Sequence, residues 1–203
     1  MKPFRFVLFV VVMSLFTLAF AQSVAQKSAD NSAPANPPKS ADKPAPSEAQ
    51  KAFDTMKTFA GEWEGSVTVV PEVPEMKDAK PMHVSIRVTS RGHALVHELQ
   101  TANTPLDATK YDHPVTMVYM DGDQLNLIHY CDAGNRPRMI GKLSPDGKTV
   151  EFEFADISGN AKYGHMHHGK FTYIDANHHL EDWTFMLPGD QAMHAHVEMH
   201  RVN

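Results

Sequence analysis

The sequence has one cysteine, Cys131, no basic patch and, beyond its N-terminus, no long apolar run. A single cysteine allows no internal disulfide, so the fold depends on an ordinary hydrophobic core. Lysine and arginine number 19 against 24 for aspartate and glutamate, which gives a formal net charge of −5. Because no lysine- or arginine-rich stripe exists to follow a phosphate backbone, we predict no nucleic-acid partner.

The motifs of the common enzyme classes are missing as well. The sequence has no glycine-rich phosphate loop, no Ser/His/Asp order, no pair of catalytic carboxylates and no HExxH spacing. Catalytic residues are therefore unknown, and whether the protein is an enzyme stays open. Function has to be argued from a cavity and from the histidines.

Residues 1–21 have the composition of a signal peptide. Lys2 and Arg5 form a basic start, an apolar run extends from Val7 to Phe20, and small residues end it at Ala21. We predict export, to the periplasm or out of the cell, with no stable membrane insertion after cleavage. An uncleaved anchor is the alternative, although the run is short for a hydrocarbon core of ~30 Å.

Residues 22–46 are rich in alanine, serine, proline and lysine and contain no aromatic residue. Such a stretch buries too little apolar surface to offset its ordering entropy, so we predict a disordered linker. It is interpreted as a tether for the domain that follows, or as a plain disordered tail. The remaining residues, 47–203, have a common length for one domain.

One helix and about ten strands are predicted in this domain. Ser47 and Gln50 resemble a capping box at the start of a helix that ends near Ala60, where Gly61 follows. Turn signals such as Asp121-Gly122-Asp123 separate the strands. The predicted strands are Trp63–Val70, Met82–Thr89, His93–Thr101, Val115–Met120, Gln124–Cys131, Arg138–Leu143, Thr149–Ala155, His165–Ile174, His179–Leu187 and Gln191–Val202.

This order of elements predicts an all-β fold, an up-and-down antiparallel barrel of about ten strands with a short N-terminal helix. Short turns between successive strands favour antiparallel neighbours. Closure into a barrel also removes the sheet edges that a long two-layer sandwich would have to protect.

Two segments carry a resemblance to known barrels. The run from Phe59 to Gly65 contains Gly61-Glu62-Trp63, similar to the Gly-x-Trp opening of lipocalin-like proteins, whose tryptophan plugs the barrel base. The run His129–Met139, after the hairpin Thr116 to Ile128, resembles a bacterial calycin-like family catalogued as a domain of unknown function. The resemblance covers about Phe53 to Val202 and implies a β-barrel with an internal cavity, and no established substrate. A more distant likeness is to nitrobindin-type barrels, which hold haem through one histidine, but their glycine-rich first strand is not matched here.

Eight of the 13 histidines lie between His165 and His200, a stretch that is predicted to form three consecutive strands. Alternate residues of a strand point to opposite faces. The lengths of the last two turns predict a register in which Asp182 faces both His196 and Phe171, and His167 faces Met186. One face then collects His165, His167, Asp182, Thr184, His194, His196 and Glu198.

We interpret this face as a candidate metal site formed by His165, His167, His194 and His196. Imidazole nitrogens are common ligands of Zn²⁺ and similar divalent ions, and Asp182 would hold the tautomer of His196. The alternative is a polar strand face with no bound ion. The opposite face carries Trp183, Phe185, Ala195, Val197 and Met199, and if that face points inward the histidines contact solvent.

Other side chains are candidates for a ligand site at the barrel mouth. Arginine forks match carboxylates and phosphates, and tyrosine hydroxyls donate to ligands, although exposed loop arginines and packed tyrosines explain the same residues. His93 and His97 share a strand face with Leu95 and Leu99 and are interpreted as satisfied or surface histidines. The candidate ligand-binding residues are Tyr119, Tyr130, Arg136, Arg138, Phe171 and Asp182.

The sequence therefore predicts an exported β-barrel that binds a small, partly apolar molecule in its cavity, with a histidine-rich wall. One alternative is a metal- or histidine-dependent enzyme acting on a small molecule. Others are a haem-binding barrel and an envelope protein without a dedicated ligand. The cofactor is unknown, with zinc a candidate and haem a weaker one, and no oligomeric state is predicted.

Overall fold

A computed structural model describes residues 45–202 except Asp78, and describes Glu75 by its backbone alone. The predicted signal peptide, and the predicted linker up to residue 44, lie outside the described residues. Within them, no helix is long and apolar enough to cross a membrane.

The one α-helix of the described residues, α1, comprises Glu48–Thr58. The Ser47 hydroxyl accepts a hydrogen bond from the Gln50 backbone N–H at 3.1 Å, which satisfies one of the free donors of the first turn. Ala52, Phe53 and Met56 form the buried side of the helix. The predicted helix is thus confirmed, with its ends one or two residues inside the predicted bounds.

Ten strands follow α1 and close into an antiparallel barrel in which β1 pairs with β10 and all other pairs are sequence neighbours. The predicted fold class is therefore confirmed. The strands are β1 (Gly61–Val70), β2 (Met82–Thr89), β3 (Ala94–Thr101), β4 (Val115–Asp121), β5 (Gln124–Tyr130), β6 (Asn135–Leu143), β7 (Thr149–Gly159), β8 (His165–Asp175), β9 (His178–Leu187) and β10 (Gln191–Val202).

One end of the barrel is closed by α1 and by Trp63 of β1. The Trp63 side chain is 1% exposed, and its indole N–H donates to the Phe59 carbonyl at 2.8 Å. The Arg201 guanidinium lies 4.1 Å from the Trp63 ring centroid and donates to the Ala60 carbonyl at 3.0 Å. This cation–π contact joins the first strand, the last strand and the end of the helix.

The other end of the barrel is more open, because the burial of inward-facing side chains decreases along the strands. In β10, Met199 and Val197 are 0% and 3% exposed, whereas Met193, nearer the β9–β10 turn, is only partly buried. In β9, Trp183 is 7% exposed and Phe185 is only partly buried. We call the end at the β9–β10 turn the open end.

Close packing in the core makes Gly141 of β6 sensitive to substitution. A Cβ atom at this position would lie 2.6 Å from Cε1 of Phe152 and 2.9 Å from a methyl carbon of Leu125. Both neighbours are fully buried, so they have little room to move. We expect Gly141→Ala to lower the free energy of unfolding by about 1–3 kcal/mol, measured by urea denaturation. The adjacent exposed substitution Lys142→Ala is the control, and equal losses in the two variants would contradict the packing explanation.

Candidate functional site

The predicted histidine face is the outer face of the barrel. Trp183, Val197 and Met199 point inward and are nearly or fully buried, so the alternate residues of β9 and β10 point outward. The predicted register between these two strands is confirmed, with Asp182 opposite His196 and Thr184 opposite His194. For His194 and His196, which are both exposed, the interpretation in which the histidines contact solvent is therefore the right one.

Asp182, His194 and His196 are brought together on this outer face. With neighbours that include Thr68, His168 and Thr184 they line a surface pocket of about 430 Å³. Nδ1 of His196 lies 2.6 Å from Oδ1 of Asp182, and Nδ1 of His194 lies 3.0 Å from the Thr184 hydroxyl. Burial alone would raise the pKa of Asp182, but the hydrogen bonds from His196 and Lys170 outweigh it and lower that pKa.

The predicted register between β8 and β9 was wrong by one residue. Asp175 pairs with His178, which agrees with the predicted register at the turn. A bulge between Tyr173 and Asp175 then moves the pairing by one residue, so that Phe171 faces Glu181 instead of Asp182. A bulge between Met166 and His168 then shifts the strand again. A bulge adds a residue to one strand and redirects its side chains.

His165 and His167 accordingly form a separate pair. Nε2 of His165 is 3.2 Å from Nδ1 of His167, and the ring of Phe154 stacks on His167 at 4.8 Å between centroids. Burial, and then the charge of His167, lower the pKa of His165. Among the described residues, the groups of three or more potential ligands with atoms within 4.8 Å of one another are His178/Glu198/His200 and Glu151/Glu153/His168. The four-histidine metal site stays a prediction, and its members lie in two places.

The six predicted ligand-binding residues are also dispersed. Phe171 is fully buried in the core, while Tyr130 is 46% exposed. The Arg138 guanidinium donates to the Asp156 carboxylate, and its Nη1 donates to Oδ1 of Asn126 at 2.9 Å. Nε of Arg136 donates to the Ser158 hydroxyl at 3.2 Å. The outward-facing Tyr119, between Ala94 and Asn126 in the sheet, and Asp182 complete the set.

Sequence reasoning missed a buried polar cluster inside the barrel, formed by Glu181, His97, His179 and Trp183. The Glu181 carboxylate is fully buried. Its oxygens lie 3.0 Å from Nε2 of His97 and 3.0 Å from Nε2 of His179, and accept from the Trp183 indole N–H at 3.0 Å. Three N–H donors thus surround one carboxylate that has no contact with water.

The residues of this cluster stabilise the ionised form of Glu181. Burial alone would raise its pKa, because a low-dielectric site disfavours a charged carboxylate. The charge of His97 and the hydrogen bonds from His179 and His97 outweigh burial and hold the pKa of Glu181 well below its usual range. The Nδ1 atoms of His97 and His179 are buried and have no hydrogen-bond partner in the described structure.

His129 of β5 lies next to this cluster and is neutral at physiological pH. It is 5% exposed, and its Nδ1 is 2.8 Å from the Thr116 hydroxyl. Burial, together with the charge of the nearby His97, lowers its pKa from 6.5 to about 4. Its ring centroid lies 5.9 Å from that of Trp183. Trp183 and His129 therefore sit together between the sealed core and the open end.

The sequence did carry a signal for this cluster. His97 alternates with Leu95 and Leu99, and Glu181 with Trp183 and Phe185, so each polar residue shares a face with apolar ones. Such a position inside a barrel places a polar group in the core, where it needs a partner.

Among the comparisons with known proteins, one solved structure supports the fold. No family model matches the chain, and no curated protein matches it. The crystal structure of Rv2717c from M. tuberculosis is similar with a TM-score of 0.52 and 16% identity, over 75% of this chain and 98% of that one. A protein of unknown function from the DUF3598 family of Nostoc punctiforme aligns with a TM-score of 0.36 and 11% identity, over 71% of this chain and 48% of that one. At this identity the first likeness concerns the fold alone.

Proposed function

We propose that the protein binds one small, partly apolar molecule in the open end of its barrel. The observation that carries this proposal is the burial gradient of the inward-facing side chains, which are sealed near α1 and partly exposed near the β9–β10 turn. Ligand sites are typically concave and mostly apolar, with a few polar groups that fix orientation. The mouth of a barrel is a common location for such a site.

The walls of the open end are apolar. Val69, Ala195 and Trp183 are neighbours across β1, β10 and β9. Nearer the β9–β10 turn, the next inward-facing residues are Met193, Phe185 and Met166. All except Trp183 are only partly buried. Methionine adapts its shape readily, which suits ligands of irregular outline.

The floor of the open end is polar but uncharged on its exposed side. The hydrogen bond from Trp183 to Glu181 fixes the indole ring. His129 offers a neutral imidazole beside it. This floor suits a molecule with one polar group and an apolar body, since the charged carboxylate of Glu181 is screened beneath the two rings.

The proposal extends to the location and the type of barrel. We propose that the protein acts after export, in the periplasm or outside the cell, on the strength of the signal-like N-terminal sequence. We also propose a calycin-type barrel, supported by the buried Trp63 of the Gly-x-Trp motif at the closed end. The haem alternative gains no support from His97 and His179, whose Nε2 atoms contact Glu181.

Replacement of two alanines of β10 by phenylalanine, one at a time, tests the binding site. Ala195 faces the open end opposite Trp183, whereas Ala192 lies on the outer face opposite Met186. We expect 1-anilinonaphthalene-8-sulfonate to bind wild-type protein saturably and to be displaced by a medium-chain fatty acid. Ala195→Phe should weaken this binding about tenfold, because the ring occupies the space above Trp183, while Ala192→Phe should leave it unchanged.

Intrinsic fluorescence supplies an independent readout. The chain has two tryptophans, Trp63 at the closed end and Trp183 at the floor of the open end. Ligand binding should change the emission of the Trp63→Phe variant, which retains Trp183, and leave that of Trp183→Phe nearly constant. Absence of saturable ligand binding, or equal weakening of this binding by Ala195→Phe and Ala192→Phe, would reject the open end as the site.

A further inference from the structure

We propose that His178, Glu198 and His200 bind a divalent transition-metal ion such as Zn²⁺ on the outer face of the barrel, near the closed end. These residues lie outside the open end and outside the histidine set predicted from the sequence. Two imidazole nitrogens and one carboxylate oxygen form a ligand set that suits Zn²⁺ and leaves a coordination position free.

The ligand atoms already converge. Oε1 of Glu198 lies 3.0 Å from Nε2 of His178 and 4.0 Å from Nε2 of His200, and each of the three residues places one ligand atom within 4.8 Å of the others. In a tetrahedral site with metal–ligand bonds of ~2.1 Å, neighbouring ligand atoms are about 3.4 Å apart. Small side-chain rotations are therefore enough to complete the coordination.

The bonding of His178 is incomplete without an ion. Its Nε2 is shielded from solvent and has no hydrogen-bond partner, although Glu198 is only 3.0 Å away. The two atoms are close but not aligned as a hydrogen bond requires. A metal ion between them would satisfy the nitrogen lone pair and the carboxylate charge at once.

The backbone holds the three side chains on rigid elements. His178 and His200 are direct partners across β9 and β10, and their rings stack at 4.6 Å with an angle of 21° between planes. Arg201 fixes the preceding turn through its backbone N–H to the Asn177 carbonyl at 3.0 Å and its Nε to the Ala176 carbonyl at 2.8 Å. Sites on strands hold their geometry better than sites on loops.

A further carboxylate lies on the neighbouring strand, with its Oε1 3.5 Å from Nδ1 of His83. Glu64 of β1 is the cross-strand partner of His200. With Glu198 and His200 it lines a surface pocket of about 280 Å³. The Glu64 carboxylate or a water molecule can occupy the remaining coordination position from this pocket.

The second cluster on the outer face is a weaker candidate. In the group Glu151, Glu153 and His168, Nε2 of His168 already forms a hydrogen bond to Glu151 at 2.9 Å. The imidazole is thus occupied, and the set has one nitrogen instead of two. Zn²⁺ should prefer the His178 site, because imidazole binds it well at neutral pH.

Titration of the metal-free mature chain with ZnCl₂ tests the proposal, using protein without an oligohistidine tag. Calorimetry should give one equivalent of tightly bound Zn²⁺, and Co²⁺ should give the visible absorption of a four-coordinate site. His200→Ala and Glu198→Gln should each weaken Zn²⁺ binding at least tenfold. The matched control is His194→Ala, on the same strand and face, which should leave the affinity unchanged.

The outcomes separate the alternatives. His200 and Glu198 are largely exposed, so their substitution should leave the fold intact, as circular dichroism would verify. Absence of Zn²⁺ binding at millimolar concentration, or unchanged affinity in both variants, would overturn the site. Loss of affinity in His194→Ala instead would place the ion in the set predicted from the sequence. Because Zn²⁺ binding is measured directly, failure here leaves ligand binding at the open end unaffected.

Discussion

Substitution of Glu181 by alanine should lower the free energy of unfolding by about 3–5 kcal/mol, as is typical when one partner of a buried charged pair is removed. The carboxylate is the acceptor for His97, His179 and the indole N–H of Trp183. Without it three buried donors lose their partner. Urea denaturation followed by circular dichroism measures the loss.

The neighbouring residue provides the control for this experiment. Asp182 is next in sequence and points outward, where its pairs with Lys170 and His196 are partly exposed. Asp182→Ala should cost no more than ~1 kcal/mol, since exposed ion pairs contribute little. If Glu181→Ala does not fold, Glu181→Gln, which keeps the shape and one acceptor, should show an intermediate loss. Similar stabilities for the Glu181 and Asp182 variants would show that the buried cluster does not stabilise the barrel.

Stability should fall steeply as the pH is lowered from 6.5 to 4, mainly because of His129. The pKa of His129 is about 4 in the folded protein against 6.5 for an unperturbed histidine. Between these values the unfolded chain binds a proton that the folded chain does not, so acid favours unfolding. At ~1.4 kcal/mol per pH unit, the full shift is worth about 3 kcal/mol. His165, whose pKa is also lowered, acts in the same direction.

Glu181 should add a second loss at lower pH. Its folded pKa lies below the unperturbed 4.5. The stabilisation it provides is therefore present above pH 4.5 and is lost as the pH falls towards the folded pKa. Urea unfolding between pH 7 and pH 4.5 measures most of the first step, and urea unfolding below pH 4.5 measures the second. His129→Gln should flatten the part between 6.5 and 4, and His194→Gln should not; a slope unchanged in His129→Gln would refute the assignment.

The strands of this chain could be predicted from the sequence because turn-forming residues separate them. Asp121-Gly122-Asp123 and Pro188-Gly189-Asp190 fix the ends of their strands, and the second of these also gave the β9–β10 register. The turn between Asp175 and His178 also agrees with the predicted register, since a two-residue and a four-residue loop at this place give the same pairing. Two unforeseen bulges in β8, one between Tyr173 and Asp175 and one between Met166 and His168, misplaced Phe171 and His167.

The functional assignment was harder, because the sequence shows alternation but not which face is inside. The apolar face of β10, with Val197 and Met199, decides the question once the barrel is closed. The interior cluster depends on pairs far apart in sequence, such as His97 and Glu181, which no local pattern relates. Likewise, the register that pairs Asp182 with His196 also pairs His178 with His200, whereas the position of Glu198 near both rings depends on side-chain geometry.

The pairing of β1 with β10 has a consequence for how the chain folds. Every other strand pair joins sequence neighbours, so a curved meander can grow as the chain emerges. Joining Trp63 to Arg201 instead requires a contact across most of the domain, and contacts of such long range slow folding. Until that seam forms, β1 and β10 are both free edges, open to pairing with other chains. The species most prone to aggregation is therefore the late folding intermediate in which β1 and β10 are not yet paired. A chaperone that protects this intermediate has to cover these two strands.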